Sequence, residues 1–187
     1  LPAGFWYDEA ANLSIAQQIA EDPSSTPVFS RVIPVFYLVP TAILISILDV
    51  TPSSIRVISV AFSISGIVSL FLLSRFILGT YPALLSALIL SVMRWDINFS
   101  RIGMAPITMT FTTTLAAYLT LRALDRGRVS GYGYAGASLG FGFWFYSSFY
   151  IFPIVIGCIL IHHVLTKRPE IRPFIGKLTF MIIMALC

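Results

Sequence analysis

Two carboxylates stand side by side at Asp8 and Glu9, directly after the aromatic residues Phe5, Trp6 and Tyr7. A carboxylate set against apolar sequence has its charged form disfavoured by burial. That raises its pKa and makes it a useful proton acceptor. Two chemistries suit such a pair at a lipid–water boundary: a general base for a hydroxyl, or ligation of a divalent cation through Asp8. The structural alternative is a capped helix. Asp8 would accept from the first backbone N–H groups, Glu9 would sit favourably near the positive helix end, and the aromatic residues would form an interfacial belt.

Other motifs carry less chemistry. GYGYAG at 131–136 has the glycine spacing of a dinucleotide-binding turn. It follows no strand and has no acidic residue about 20 positions on, so it is not read as a nucleotide site. Gly136 and Gly140 instead form a GxxxG helix-contact motif. His162 and His163 sit beside Lys167 near the end of an apolar stretch and read as an interface pair rather than a metal site. NLS (12–14) and NFS (98–100) are sequons that matter only in a eukaryote. Cys158 and Cys187 lie in apolar runs and are read as inert core thiols, with no disulfide or metal pair expected.

These groups need a scaffold, and composition says which. Of 187 residues, 57% are hydrophobic and 11% charged, against roughly 25% charged in soluble domains. Mean hydropathy is +0.89. The net charge of +4 forms no basic cluster with interleaved aromatics, which argues against nucleic acid as a partner. Charge-free windows predict spans at 57–74, 82–95, 102–121, 131–146 and 150–166, and the start of a sixth at 178. Ser59, Ser63, Gly66 and Ser69 form a small-residue stripe suited to close helix packing in lipid. Ala11, Ile15 and Ile19 predict an amphipathic helix lying on the membrane surface. Leu1 is not a start methionine, and the chain reads as a piece whose first span lies upstream.

Residues 32–48 are apolar but interrupted by Pro34 and Pro40. If they do not span, Arg75, Arg122, Arg126, Arg128, Lys167, Arg168, Arg172 and Lys177 share one face, as cytoplasmic loops do. Arg31, Arg56, Arg94 and Arg101 then share the other face with Asp8, Glu9 and Asp96. The prolines favour this arrangement, which brings FWYDEA and WDINFSRIG into one compartment.

FWYDEA, a surface helix, a proline-broken apolar segment, a serine-rich span and WDINFSRIG together resemble the GT-C membrane glycosyltransferases. The likeness is closest to the protein O-mannosyltransferase superfamily, which includes the bacterial lipid A aminoarabinose transferases and related galacturonosyltransferases. It covers about residues 5–125. The resemblance implies a sugar donor on a polyprenyl phosphate. It also implies a first extracytoplasmic loop with non-crossing juxtamembrane helices and an acidic catalytic residue. Asp8 matches that acid and Glu9 its neighbour. Arg31, in FSRVIP rather than Lys-Pro-Pro, falls near a basic residue that meets the lipid phosphate. Arg56 resembles the arginine common at the start of that span, and Arg101 the arginine of the Ser-Arg loop. An aspartate usually follows the latter about five residues on, where Ala105 and Pro106 stand here.

The chemistry implied is consistent. Negative charge grows on the phosphate leaving group, positioned arginines stabilise it, and Asp8 takes the acceptor proton. The expected fold is all-α: a polytopic transmembrane helical bundle of GT-C type. Residues 1–52 form the extracytoplasmic loop with its juxtamembrane helices, and 53–187 the bundle. The expected activity is sugar transfer from polyprenyl phosphate to a lipid, glycan or protein acceptor on the extracytoplasmic face, with inversion. A divalent cation is the one cofactor considered. The alternatives are a non-catalytic scaffold or degenerate relative, and a transporter. A transporter would carry ionisable residues inside its spans, which these windows lack.

Overall fold

The computed structural model describes residues 6–22, 34–48, 50–167 and 169–186. Every regular element among them is helical. In chain order they are α1 (Tyr7–Glu21), α2 (Val35–Leu48), α3 (Pro52–Leu78), α4 (Thr80–Val92), α5 (Arg94–Ser100), a 3-10 turn at Ala105–Ile107, α6 (Thr108–Arg126), α7 (Val129–Gly142), a second 3-10 turn at Ser147–Ile151, α8 (Phe152–Lys167) and α9 (Ile171–Leu186). Together they form an all-α membrane helical bundle.

The charge-free windows located the helices but misjudged their ends. Arg56 and Arg75 lie within α3, which runs for 27 residues, because arginine stems lie along apolar surface while their heads reach outward. The predicted span at 82–95 breaks at Met93, and α4 and α5 meet at a bend of 57°. The span expected at 102–121 begins as loop and 3-10 turn, with α6 starting only at Thr108. Pro106, which has no N–H to donate, sits in that turn. The split near 147–150 is present, and Pro153 occupies the first turn of α8, where its missing donor costs nothing.

Among the described residues only Pro52–Leu78 and the stretch Ser147–Lys167 are long and apolar enough to cross a membrane, or three spans if the bent α4–α5 pair counts as one. The expected five complete spans are therefore not all met by single helices. With 14 residues, α2 reaches about 21 Å, short of the roughly 30 Å hydrocarbon core. That fits the non-spanning reading of 32–48. Large apolar side chains face outward along the long helices, among them Val60, Ile64 and Val68 on α3 and Leu85, Leu88 and Ile89 on α4. Lipid is the solvent that makes this surface stable.

Two apolar clusters hold the molecule. One joins Leu13, Ala16 and Ile19 of α1 to Tyr37, Leu38 and Ile45 of α2, with Ile55 of α3 and Ile107. The other joins α6, α7, α8 and α9 through Ala116, Tyr132, Leu139, Ile156, Phe174 and Met181. Aromatic rings link them. Phe145 is buried among Phe36, Phe62, Phe111 and Phe141, with centroid separations from 4.9 to 6.4 Å.

The small-residue stripe is buried at all four positions. A Cβ on Gly66 would stand 3.3 Å from Thr110, and Ser69 shares a 2.5 Å hydrogen bond with Thr114, so α3 and α6 run in close contact. The stripe on α1 is different from the predicted one. Leu13, Ala16 and Ile19 are its buried apolar residues and Ala11 is exposed, because the inward face is set by packing on α2 and α3. Cys158 is exposed on α8 rather than buried, and Cys187 lies outside the described residues.

Both glycines of the contact motif face α9. A Cβ on Gly136 would run into the Met181 carbonyl oxygen, and one on Gly140 would come within 2.6 Å of the Ala185 carbonyl oxygen. Gly157 of α8 meets nothing within 4 Å. Gly136→Ala should therefore lower stability by roughly 1–3 kcal/mol through overpacking. Gly157→Ala should be neutral or stabilise by up to about 1 kcal/mol. Thermal unfolding in detergent separates the two, and equal melting temperatures would refute the contact assignment.

Candidate functional site

The adjacent carboxylates go separate ways. Glu9 is fully buried, whereas Asp8 is exposed. The Glu9 Oε1 accepts from Arg56 Nε at 2.6 Å and from the backbone N–H of Gly103 at 3.0 Å. Its Oε2 accepts from Arg56 Nη2 at 2.9 Å and from the Trp6 N–H at 3.4 Å. The last contact caps α1 by reaching back from its third residue, so Glu9 rather than Asp8 satisfies the helix start. Burial pushes the Glu9 pKa up. The Arg56 hydrogen bond, the Gly103 N–H, the Arg56 charge and the Trp6 N–H together outweigh it and hold the carboxyl below its ordinary value. The sequence-based expectation that burial raises a pKa into the useful range is thus reversed at Glu9.

This carboxylate ties the loop 101–104 to the rest of the molecule. Asn12, one helical turn on from Asp8, donates from Nδ2 to the Gly103 carbonyl at 3.1 Å. On the other side, Ser59 Oγ donates to the Ile102 carbonyl at 3.0 Å and accepts from the Tyr37 hydroxyl at 2.7 Å. Gly103 itself presses on α3, and a Cβ there would lie 2.5 Å from Ile55 Cγ2. FWYDEA and FSRIG therefore meet directly, as the non-spanning reading of 32–48 required.

Beside this knot lies a cleft of about 290 Å³, lined by Asp8, Asn12, Met104, Pro106, Trp144 and Tyr146 among others. Among the described residues Asp8 is the only carboxylate on its wall. The opposite wall is the segment 143–147 between α7 and the second 3-10 turn, with Phe143 and Ser147 completing it. The ring packing of Phe141 and Phe145 against Phe36, at 4.0 and 5.5 Å, fixes that wall to α2. Hydroxyl, amide, carboxylate and aromatic faces in one cleft are the groups that recognise a sugar: polar atoms for its hydroxyls, flat rings for its apolar face.

The remaining predicted residues fall elsewhere. Arg56 is engaged through Nε and Nη2 by Glu9 and does not line the cleft. Arg101 caps the C-terminus of α5 and is exposed, two residues from Gly103. Arg31 lies outside the described residues. Asp96 is buried against α3, where its Oδ2 accepts from Ser63 Oγ at 2.5 Å and its Oδ1 has no partner. It does not take a place in the cleft. No three of His, Cys, Asp and Glu converge to hold a metal among the described residues.

Asn12, Trp144, Tyr146 and Ser147 were not assigned to the site from sequence. A signal was present: FWFYSS (143–148) joins two predicted spans on the face assigned to FWYDEA, and interface aromatics beside hydroxyls mark more than a break.

A family model described as dolichyl-phosphate-mannose-protein mannosyltransferase matches residues 33–187. The chain belongs to this family. No curated protein and no solved structure matches it. The match extends beyond the 5–125 over which the likeness was expected. It makes the chain a member of a membrane glycosyltransferase family of GT-C type, whose donors are polyprenyl-phosphate-linked sugars. Asp8 and Glu9 precede the matched residues, so it is geometry that connects them to the family region.

Because the Glu9 pKa is lowered on folding, its stabilisation is complete above the ordinary value of 4.5 and is lost as pH falls through the folded value. Glu9→Gln should cost roughly 2 kcal/mol. That is less than the roughly 3–5 kcal/mol of a fully buried pair, since the Arg56 side chain is 22% exposed. The variant should also lose that part of the acid-induced decline below pH 4.5. Melting temperature against pH for both proteins checks it, and parallel curves would contradict the pairing.

Proposed function

We propose that the Asp8 cleft transfers a sugar from a polyprenyl phosphate to an acceptor hydroxyl on the extracytoplasmic face. The observation that carries this reading is the division of labour in the carboxylate pair. Glu9 is consumed by Arg56, Gly103 and Trp6, while Asp8 is left exposed on the wall of a polar, aromatic-lined cleft. Family membership supplies the class of reaction.

In this mechanism the acceptor hydroxyl gives its proton to the Asp8 carboxylate as its oxygen attacks the anomeric carbon. The bond between that carbon and the phosphate oxygen breaks, and polyprenyl phosphate leaves with the electron pair. One in-line displacement inverts the anomeric centre. Asn12 and Tyr146 orient sugar or acceptor hydroxyls, and the Trp144 ring packs on the apolar face of the pyranose. The family resemblance assigns the growing phosphate charge to Arg101 and Arg31. Arg56 acts as a positioning residue, holding Glu9 and through it Gly103. The extracytoplasmic loop 1–52 delivers the base, and the bundle 53–187 holds the lipid-borne donor at the same level. The acceptor is a lipid, glycan or protein hydroxyl.

Asp8→Asn should retain the melting temperature, because the side chain is exposed. It should lower the rate of sugar transfer from polyprenyl phosphate by about 10²–10⁴-fold, the usual worth of a general base. The assay is turnover of the purified chain in proteoliposomes. Wild-type turnover in the variant would remove Asp8 from the mechanism.

A further inference from the structure

At the far end of α6 from the Asp8 cleft lies a second polar feature. The helix has 19 residues, about 28 Å from end to end. Gly127, at φ 64°, ends α6 in the left-handed conformation that glycine adopts without strain, and Arg128 is already the N-cap of α7. The reversal is so short that the helices touch, and a Cβ on Gly131 would be 3.2 Å from Ala123 Cα. In the crook lies a cleft of about 260 Å³ lined by Arg122, Arg126, Arg128, Ser130, Gly131 and Tyr134 among others. Lys177 of α9 reaches the same turn, its Nζ 3.9 Å from the Cβ position of Gly127.

We propose that this cleft binds a phosphate-bearing anion, and that the source is the headgroup of an anionic membrane phospholipid. Three arginines line one small cleft, and among the described residues no carboxylate shares its wall. Among the described residues none of them is ion-paired, and Asp125, the nearest acid in sequence, does not line the cleft. Like charges gathered this way repel unless an anion lies between them.

The helix dipole explains only part of the cluster. Arg126, in the last turn of α6, complements the negative helix end. Arg128 stands at the start of α7, where a cation opposes the positive end. An anion in the crook removes that conflict, since it meets the arginines and the first N–H groups of α7 together. Arg122 is already ordered, its guanidinium 5.7 Å from the Tyr118 ring centre and donating to Tyr118 Oη at 3.2 Å. Arginine forks and the hydroxyls of Ser130 and Tyr134 supply the several donors that a tetrahedral oxyanion accepts. Tyr134 of the lining is 68% exposed, and Val129, next in sequence to Arg128 and Ser130, is 54% exposed. An apolar shoulder above a basic floor suits a headgroup whose chains continue into lipid.

The test uses the full chain in nanodiscs of phosphatidylglycerol or phosphatidylcholine, with native mass spectrometry reading retained lipid. Wild type should retain phosphatidylglycerol preferentially. Joint replacement of Arg122, Arg126 and Arg128 by Gln should reduce that retention roughly tenfold or more, while Arg75→Gln should leave it intact. Arg128→Gln alone serves if the triple variant does not fold. Phosphatidylglycerol should raise the wild-type melting temperature and not that of Arg128→Gln. Arginine-dependent binding of inorganic phosphate, with no discrimination between lipids, would keep the cleft and overturn the lipid source. Equal retention of both lipids by all variants, with no phosphate binding, would overturn the proposal.

Discussion

A buried carboxylate cannot stand alone, and the architecture at one end of this bundle follows from how Glu9 is satisfied. Taking the charge out of water costs several kcal/mol unless it is paired and hydrogen-bonded. The partners come from three places: the start of α1 itself, α3 through Arg56, and the loop before α6 through Gly103, to which Asn12 of α1 adds a bond of its own. One side chain thereby fixes the docking of α1, the entry of α3 and the path of the loop carrying Arg101. No apolar contact sets three elements in register with this directionality, since apolar burial is largely indifferent to rotation. The cleft beside it inherits its shape from these bonds on one wall and from the packed rings around Phe145 on the other.

The fold was legible where the sequence signal is a matter of solvent. Apolar windows, proline positions and the serine-glycine stripe of α3 each announce a helix or a close contact, because lipid leaves the backbone few alternatives. The helix ends were not legible, because arginine tolerates either side of a boundary. Arg56 looked like the residue that stops a span, yet it lies one turn inside α3 with its head turned back to α1. FWYDEA was expected to come to FSRIG, and Glu9 does meet Gly103. That expectation rested on proline breaks and parity, and parity is a property of the whole chain rather than of any pair.

The site was half legible for a physical reason. Sequence shows which residues are ionisable, but not which charge has already been neutralised. Asp8 and Glu9 were read as one functional pair, and Arg56 as a phosphate ligand. A carboxylate 0% exposed and bonded twice to a guanidinium has other work. Asn12, Trp144 and Tyr146 were not assigned to the site because neutral polar and aromatic residues are common at membrane interfaces. Only the neighbourhood of Asp8 gives them a purpose.

The adjacency of the two acids is itself a device. Successive residues on a helix point about 100° apart. When α1 lies along the protein, a side chain aimed into the core leaves its predecessor aimed at the edge. Glu9 anchors inward and Asp8 must then emerge at the seam, at a height and angle set by the anchor. Its own chemistry stays free, since nothing in the docking uses its carboxylate. A single acid would have to choose between holding the helix and accepting a proton, and each task degrades the other: pairing with arginine lowers proton affinity, while a proton taken up would loosen the pair. In the proposed mechanism, separating the tasks by one residue keeps the candidate base next to its scaffold without making it part of it.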